Sequence, residues 1–271
     1  MAPKTSVDQL YGEIWAGEGL DPAAPPARGT EWLFEAFAEL GPQAGQLVVD
    51  VGARDAKHAL RLVQEHGLRA IAVDPVAHHL ALARQAVAEA GVDIEIVQAG
   101  IEDMPIDDGV ADWIWCRDVL VHVDLARGFA ECARILRPGG RMLAYVTCAT
   151  DLLEPRETAW LFDAVAIIPE STQPDAIERH ATNAGLSLVS KTELAGEWRE
   201  RMLEDGTWDV AADLLALSRL NRREDELVAR HGRDSVEAVR GGLLWGVYQL
   251  VGKLCPTIYV LRRRHEMLTE S

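Results

Sequence analysis

The feature that most constrains the fold is the run LVVDVGARDAKHALRLV at residues 47–63. An apolar stretch ends at Asp50, the chain turns at Gly52, and the apolar residues that follow take the spacing of a helix. A strand, a tight glycine turn and a helix in this order form the entry to a nucleotide-type site in an open α/β sheet. Gly52 lets the backbone approach a ligand, and the next helix points its free N–H groups and positive dipole end at a carboxylate. A single glycine is also compatible with an ordinary strand-to-helix turn.

Strand-like and helix-like segments alternate after this run, which predicts parallel strands with crossover helices. The strand-like segments before residue 150 lie at 47–51, 68–74, 94–99, 111–117 and 141–147. Helical spacing lies near 56–66, in the run that ends at Gly91, and at 129–136.

The pattern changes after residue 150. Residues 151–184 look helical and irregular, 185–196 and 256–263 resemble strands, and the 197–254 segment is helical. We therefore predict an α/β fold, a doubly wound, mostly parallel seven-stranded sheet with a helical cap inserted between the last two strands. In this prediction the whole chain, residues 1–271, forms a single domain.

Charge and cysteine content narrow the classes of function. The net charge is −16, and a surface this acidic repels phosphate backbones, so we expect no nucleic-acid partner. No segment approaches the roughly 20 apolar residues that span a bilayer, and no signal-peptide pattern opens the chain. The four cysteines are far apart and form no CxxC pair: Cys116, Cys132, Cys148 and Cys255. They predict reduced thiols in a cytoplasmic protein, with no metal site and no disulfide.

The second strand-like segment ends in an acidic residue, Asp74, about 20 residues beyond Gly52. A carboxylate at this position can accept hydrogen bonds from both hydroxyls of a ribose, which is how this type of fold holds a nucleoside. Asp74 could instead cap the following helix, which begins near Pro75. Because a glycine turn precedes it, we favour ribose binding.

Two later segments carry a resemblance to a known family. In IEIVQAGIEDMPIDDGVADWIWCRDVLVHVD, residues 94–124, an acidic loop is followed by Met-Pro, a turn at Asp108-Gly109, and Asp112 at the start of a strand. One helix later comes ILRPGG, residues 135–140. Their order and spacing resemble the methyltransferase type 11 group of S-adenosylmethionine-dependent methyltransferases.

The resemblance covers residues 45–147 and implies S-adenosylmethionine as the cofactor of this half. Six residues are implied to bind it: Asp50 and Gly52 at the methionine end, Asp74 on the ribose, Ile101 and Glu102 by the adenine, and Arg117 beside the sulfonium. Two glycines common in the first loop of the family are replaced by Arg54 and Ala56. Ala56 needs little extra space, whereas Arg54 must keep its side chain out of the site or aim its guanidinium at the cofactor carboxylate.

His122 and Asp124 follow the fourth strand, on the side where the acceptor lies in folds of this type. A neutral imidazole there can take a proton from a hydroxyl as it attacks a methyl group, so His122 is the candidate catalytic residue, with Asp124 orienting its ring. His122 could instead cap or pack the next helix. An amine acceptor needs little acid–base help, because in-line positioning supplies most of the effect.

Aromatic residues outside the resemblance are candidates for the acceptor site. They are Tyr11 and Trp15 in an N-terminal lid, residues 1–40, and Trp198 and Trp245 in the helical cap, residues 151–184 and 197–254. Aromatic side chains make good walls for flat ligands, although they also form the core of such caps.

We therefore predict methyl transfer from S-adenosylmethionine to an oxygen, nitrogen or carbon atom of a small molecule, in secondary metabolism. The alternative is a protein of this fold that binds the cofactor without methyl transfer, as a cyclase or binding module, because the first loop is altered. An NAD-dependent oxidoreductase is disfavoured by the single Gly52 and by the later ILRPGG segment. The sequence leaves the oligomeric state open, a homo-oligomer included.

Overall fold

The computed structural model describes residues 25–265, and these contain one seven-stranded sheet in the order β3-β2-β1-β4-β5-β7-β6. The strands are β1 Leu47–Val51, β2 Arg69–Val73, β3 Ile94–Val97, β4 Ala111–Arg117, β5 Leu136–Ala149, β6 Leu186–Glu193 and β7 Leu254–Arg263. Strand β7 runs antiparallel to both of its neighbours, and the other pairings are parallel. The predicted mostly parallel α/β sheet is confirmed.

Ten α-helices flank the sheet within the described residues. They are α1 Thr30–Glu39, α2 Lys57–His66, α3 Ala77–Ala90, α4 Leu125–Ile135, α5 Pro155–Ala164, α6 Pro174–Asn183, α7 Glu197–Glu204, α8 Val210–Arg222, α9 Glu224–His231 and α10 Arg233–Leu250. Short 3₁₀ turns occupy Leu120–His122 and Pro169–Thr172. None of these helices is long and apolar enough to cross a membrane.

The apolar run of β1 places this strand at the centre of the sheet. All five of its residues are buried, and β2 and β4 pair with it on either side. Val49 and Val51 pack into one hydrophobic core and Val48 into the core on the opposite face. Because both faces are covered, four of the five residues are apolar instead of alternate ones, and Asp50 is the exception.

Two element boundaries differ from the sequence prediction. Helix α4 begins four residues before 129–136, because the Asp124 carboxylate caps it by accepting from the N–H of Arg127 at 3.0 Å. Strand β5 begins at Leu136 rather than at residue 141. The predicted Pro-Gly-Gly turn lies inside this strand as an irregularity of register opposite β4.

Four helices, α7 to α10, lie between β6 and β7 in the chain, as the sequence predicts. Helix α10 packs closely on α5, because Gly241 has no Cβ: one built there would fall 2.7 Å from Cγ1 of Val165. The insertion is therefore held against the body of the fold by tight helix contacts.

The order of the strands fixes where a ligand can bind. The chain leaves β1 for β2 on one side, and later returns to β4 on the other side of β1. The connections diverge at the carboxyl ends of β1 and β4, and open α/β sheets bind ligands in the crevice that opens there.

Candidate active site

A cleft of about 790 Å³ opens at the carboxyl ends of β1, β2 and β4. Six of the residues named from the sequence line it: Asp50, Gly52, Asp74, Ile101, Arg117 and His122. The cleft therefore joins residues from two strands, β1 and β4, with residues from the loops after β1, β2, β3 and β4.

Gly52 forms the turn after β1 in a backbone conformation that favours glycine. Its φ is +73°, and a Cβ built there would fall 2.3 Å from Cγ2 of Val119. Its N–H donates to the carbonyl of Val73 at 2.8 Å, which ties the turn to the end of β2. A side chain at position 52 would be strained by both its backbone and its neighbour.

The loop keeps left-handed backbone at the two positions where the family has further glycines. Arg54 has a φ of +48° and Ala56 a φ of +58°. L-residues pay roughly 1–2 kcal/mol for this conformation. The Arg54 side chain is exposed, and Ala56 is fully buried at the start of α2. The backbone path of a glycine-rich loop is thus present although its glycines are not.

Asp74 organises this loop from the end of β2. Its Oδ2 accepts from the N–H of Arg54 at 2.9 Å, and its Oδ1 accepts from the N–H of Val76 at 2.9 Å. Nδ1 of His79 lies 3.0 Å from the same Oδ1. Asp74 does not cap α3, whose N-cap is Val76, but its bond to the N–H of Val76 holds the chain just before that helix. Asp74 also lines the cleft.

Asp50 is a buried carboxyl group beneath the cleft, with 2% of its surface exposed. Burial raises its pKa to about 7, although a hydrogen bond from the N–H of Ala59, at 3.1 Å, opposes that rise. The negative charge of Asp74 adds to the rise. A cationic group that entered the cleft beside Asp50 would favour its ionised form.

The loop after β3 divides its predicted residues between two tasks. Ile101 is buried and gives the cleft an apolar wall, next to Gly100, around whose Cβ position there is open space. Glu102 does not line the cleft. Its carboxylate accepts from the N–H of Asp124 at 2.9 Å and pairs with Arg127 at 3.2 Å, so it ties the loop to the start of α4.

Arg117 ends β4 among aromatic side chains. Its Cζ lies 5.6 Å from the ring of Tyr145 and 5.6 Å from the ring of Trp198. Trp198 is 2% exposed and packs on Tyr145, with ring centroids 5.1 Å apart. Neither Trp198 nor Trp245 lines the cleft, and Trp245 packs, half-buried, against the larger hydrophobic core.

His58, in the first turn of α2, was missed by the sequence analysis. It lines the cleft, and its Nδ1 accepts from Nε1 of Trp115 at 3.2 Å. Its Nε2 lies 3.3 Å from Nη1 of Arg117. Burial lowers the pKa of His58 to about 4, and the charge of Arg117 adds to this effect. The sequence did offer a signal for His58: it lies in the first turn of α2, the helix predicted to point its N-terminus at the ligand.

Asp118, directly after β4, is the second residue that was missed. It has a φ of +53°, and its Oδ1 accepts from the N–H and the hydroxyl of Thr147, at 3.0 and 2.8 Å. Its Oδ2 has no hydrogen-bond partner among the residues that the structure describes, and the residue lines the cleft. Burial raises the pKa of the Asp118 carboxyl, against the hydrogen bonds from Thr147. A strained acidic residue on a cleft wall is a functional candidate.

His122 lies on the rim of the cleft and is exposed. Its Nδ1 is 2.9 Å from the carbonyl oxygen of Ala166. A carbonyl only accepts, so Nδ1 carries a proton, and in the neutral form of the ring Nε2 has the lone pair. The prediction that Asp124 orients this ring is wrong, because Asp124 caps α4 and Ala166 orients the ring instead.

Metal ligation finds no support in residues 25–265, which contain no cluster of three or more His, Cys, Asp or Glu side chains placed to hold an ion. The four cysteines are free thiols, and three of them are buried. Tyr11 and Trp15 lie outside the described residues.

Comparisons with known proteins agree with this geometry. The family model described as "Methyltransferase domain" matches residues 49–144. The chain is 29% identical over 252 residues to the sarcosine/dimethylglycine N-methyltransferase of Halorhodospira halochloris, covering 87% of this chain and 84% of that relative. It is 25% identical over 195 residues to the O-methyltransferase resE of Aspergillus sclerotiorum, covering 69% of this chain and 73% of that one.

A solved structure from Galdieria sulphuraria, provisionally named a sarcosine dimethylglycine methyltransferase, has the same fold. The TM-score is 0.67 at 19% identity, over 95% of this chain and 98% of that one. Residues 49–144 are thus a methyltransferase domain of the S-adenosylmethionine-dependent class, and the chain is a methyltransferase.

Proposed function

We propose that this enzyme methylates the nitrogen atom of a small amine. S-adenosylmethionine supplies the electrophilic methyl group when it is bound. The residues present fit this cofactor: the cleft offers about 790 Å³, buried carboxylates at Asp50 and Asp74, and an apolar wall at Ile101.

Residues of the cofactor-binding half, 45–147, would each contact a different part of S-adenosylmethionine. Asp50, beside the turn at Gly52, would face the amino group of the methionine end, and Asp74 would accept from the ribose hydroxyls. Ile101 would cover the adenine, and Arg117 would lie towards the sulfonium. Glu102 supports this arrangement through its contacts with α4 rather than from the cleft wall.

The observation that carries the nitrogen assignment is the carboxylate of Asp118. An amine reaches the enzyme mainly as a cation and must lose a proton before its lone pair can attack. Asp118 offers a free Oδ2 at the cleft wall, fixed through its Oδ1 by Thr147. Because its pKa is raised, Asp118 can hold an ammonium group and accept its proton. The N-methyltransferase relative supports this choice.

The net charge of the chain bears on the class of acceptor. A net charge of −16 disfavours nucleic acid and leaves small molecules as acceptors. A cytoplasmic location and a role in secondary metabolism stay predictions, and so does the covering of the acceptor by the N-terminal segment and the helices after β5.

The experiment measures methyl transfer from isotope-labelled S-adenosylmethionine to a panel of small amines, phenols and activated carbons. We expect an amine to be methylated, and Asp118→Asn to lower kcat by about 10²–10⁴ with unchanged affinity for S-adenosylhomocysteine. Asp163→Asn, an exposed change on α5, is the matched control. Full activity of Asp118→Asn would refute the assignment. Cofactor binding without transfer to any acceptor would support the cyclase or binding-module alternative.

A second candidate, methylation of a hydroxyl, is favoured by the ring of His122. The residue lines the cleft and its Nδ1 is held by the carbonyl of Ala166, so Nε2 of the neutral ring can take the proton of an attacking hydroxyl. His122→Ala separates the two candidates. With a hydroxyl acceptor we expect kcat to fall about 10²–10⁴-fold, and with an amine acceptor less than about threefold.

A further inference from the structure

Two arginine side chains lie close enough to influence each other's charge: Arg117 lines the cleft, and Arg199 does not line it but comes from the helix that packs beside Arg117. Arg117 of β4 is in register with Tyr145 of β5, so both side chains project from the same face. Trp198 packs on Tyr145 from α7, and Arg199 follows Trp198 in that helix. Cζ of Arg199 lies 5.1 Å from the ring of Trp208.

Arg199 is held in place without an anionic partner. Its Nε donates to Oε1 of Gln249 at 2.6 Å, and its Nη1 lies 3.7 Å from the sulfur of Met202. Within residues 25–265 no carboxylate oxygen lies within 4.0 Å of its guanidinium nitrogens.

Burial lowers the pKa of Arg199 and the charge of Arg117 adds to this effect, whereas Tyr145 and nearby carboxylates oppose it. The charges of Asp118 and Asp213 act on Arg199, but neither carboxylate makes a direct ion pair with it. A partly buried guanidinium without a direct ion pair is suited to a negative group supplied by a ligand.

Arg117 is also short of an acceptor, because of the chemistry of His58. Imidazole with a pKa of about 4 is neutral at physiological pH, and a neutral ring has one acceptor nitrogen. Two donors, the indole N–H of Trp115 and Nη1 of Arg117, face its two nitrogens. Trp115 is fully buried and stacked on Phe34, so it keeps its acceptor and Arg117 is left without one.

We propose that Arg117 and Arg199 together bind a carboxylate carried by the methyl acceptor. The acceptor is then an amino-acid-like zwitterion, with its ammonium group against Asp118 and its carboxylate against the two guanidinium groups. This assignment rests on the proposed N-methylation. Guanidinium groups match a carboxylate in shape and charge, and the aromatic rings around them keep water away.

A hydrogen-bond chain joins the two ends of this subsite. Gln249 is 1% exposed, and while its Oε1 accepts from Arg199, its Nε2 donates to the hydroxyl of Thr147 at 3.3 Å. That hydroxyl donates to Oδ1 of Asp118 at 2.8 Å. Gly246 makes room for the arrangement, because a Cβ there would fall 3.1 Å from Cζ of Arg199. The positive and negative ends of the subsite are thus fixed relative to each other.

The test compares pairs of ligands that differ only in charge. N-methylated α-amino acids, among them N,N-dimethylglycine, and their neutral carboxamides are titrated by calorimetry into the full-length protein saturated with S-adenosylhomocysteine. We expect the wild-type protein to bind an amino acid at least about 10-fold more tightly than its carboxamide. Arg199→Gln should weaken binding of that amino acid about 10- to 100-fold and change the carboxamide little.

Two further variants keep the result interpretable. Arg199→Lys keeps the charge but not the planar fork, so it should restore part of the lost affinity. Arg219→Gln, an exposed arginine of α8, should leave both ligands unchanged. If Arg199→Gln does not fold, which its circular dichroism would reveal, Arg117→Gln carries the same comparison.

The outcomes separate this proposal from the proposed function. A preference for the carboxylate without methyl transfer to it would retain the subsite and refute N-methylation. Equal binding and equal methylation of both ligands by the wild-type protein would retain N-methylation and overturn the subsite. An Arg199→Gln variant that loses S-adenosylhomocysteine affinity to the same extent, or loses only thermal stability, would also overturn it.

Discussion

The backbone N–H of Arg54 donates to Oδ2 of Asp74 at 2.9 Å, across 20 residues of sequence. The bond fastens the loop after β1 to the end of β2, so the two parts of the cofactor half are built as one unit. It uses a backbone donor, and any residue at position 54 can make it if the backbone takes the left-handed conformation. The bond between the loop and Asp74 therefore requires the left-handed backbone at position 54 and does not require a glycine there.

Replacing Arg54 by glycine should stabilise the protein. The φ of +48° is strained for arginine and natural for glycine, and the exposed side chain contributes no buried packing. We expect a gain of about 1 kcal/mol in the free energy of unfolding, measured by urea denaturation. Arg84→Gly, at an exposed site within α3, is the matched control and should lose about 1 kcal/mol. Equal losses in both variants would contradict the strain argument.

Removing the carboxylate of Asp74 should weaken the binding of S-adenosylmethionine. We expect Asp74→Ala to reduce the binding free energy by about 1.5–3 kcal/mol, as for the loss of charge-assisted hydrogen bonds. Calorimetry on a variant shown to be folded is the measurement. His79→Ala removes a cleft-lining ring and its contact with Oδ1 of Asp74 but keeps the carboxylate, so it should lose less. Unchanged affinity in Asp74→Ala would remove the ribose assignment.

The buried Asp50 should make stability fall as the pH rises. Its pKa is raised from 3.8 to about 7, so between these values the native state holds a proton that the unfolded chain has released. Asp50→Asn removes this effect. The stability of the variant relative to the wild-type protein should therefore grow, by roughly 1–3 kcal/mol between pH 5 and pH 7.5.

The Asp50→Asn variant must be compared with the wild-type protein, because His58 changes the stability of both with pH in the direction opposite to Asp50. The pKa of His58 is lowered to about 4, so this residue stabilises the protein as the pH rises through 4–6.5, equally in both proteins. Asp163→Asn is the control for loss of one exposed negative charge. A relative stability that does not vary with pH would show that Asp50 is ionised throughout.

Two tryptophans of the helical insertion should behave differently. Trp198 packs on Tyr145 and lies near Arg117, so Trp198→Phe should raise the KM of the acceptor several-fold more than the Kd of the cofactor. Trp245 packs against the larger core, so Trp245→Phe should lower Tm and leave the acceptor KM nearly unchanged. Steady-state kinetics give the KM of the acceptor, and thermal unfolding gives Tm, for each variant. Parallel changes in KM and Kd for Trp198→Phe would contradict the assignment.

The sequence was most informative where periodicity and chain order decide the structure. The apolar run 47–51 and its alternation with helices led to the parallel sheet, and Asp50 and Asp74 lie at the ends of its strands as expected. The boundary of α4 was misplaced, because the cap at Asp124 is a single side-chain contact that periodicity does not register.

The residues that the sequence analysis missed are brought together across the sheet. Arg117 is opposite Tyr145 only through the pairing of β4 with β5, and Thr147 reaches Asp118 by the same pairing. Arg199 comes from α7, more than eighty residues further along the chain than Arg117. No local pattern encodes such contacts, because they depend on strand register and helix packing.

The insertion that carries Arg199 leaves the sheet after Glu193 and returns at Leu254. Glu193 is paired with Thr257, so the two ends of the insertion lie side by side at one end of the β6–β7 hairpin. A segment tethered in this way can be exchanged for one of different length without moving a strand. If the insertion selects the acceptor as proposed, we expect a chimaera that carries the equivalent helices of a relative to methylate the relative's acceptor and to bind the methyl donor as before.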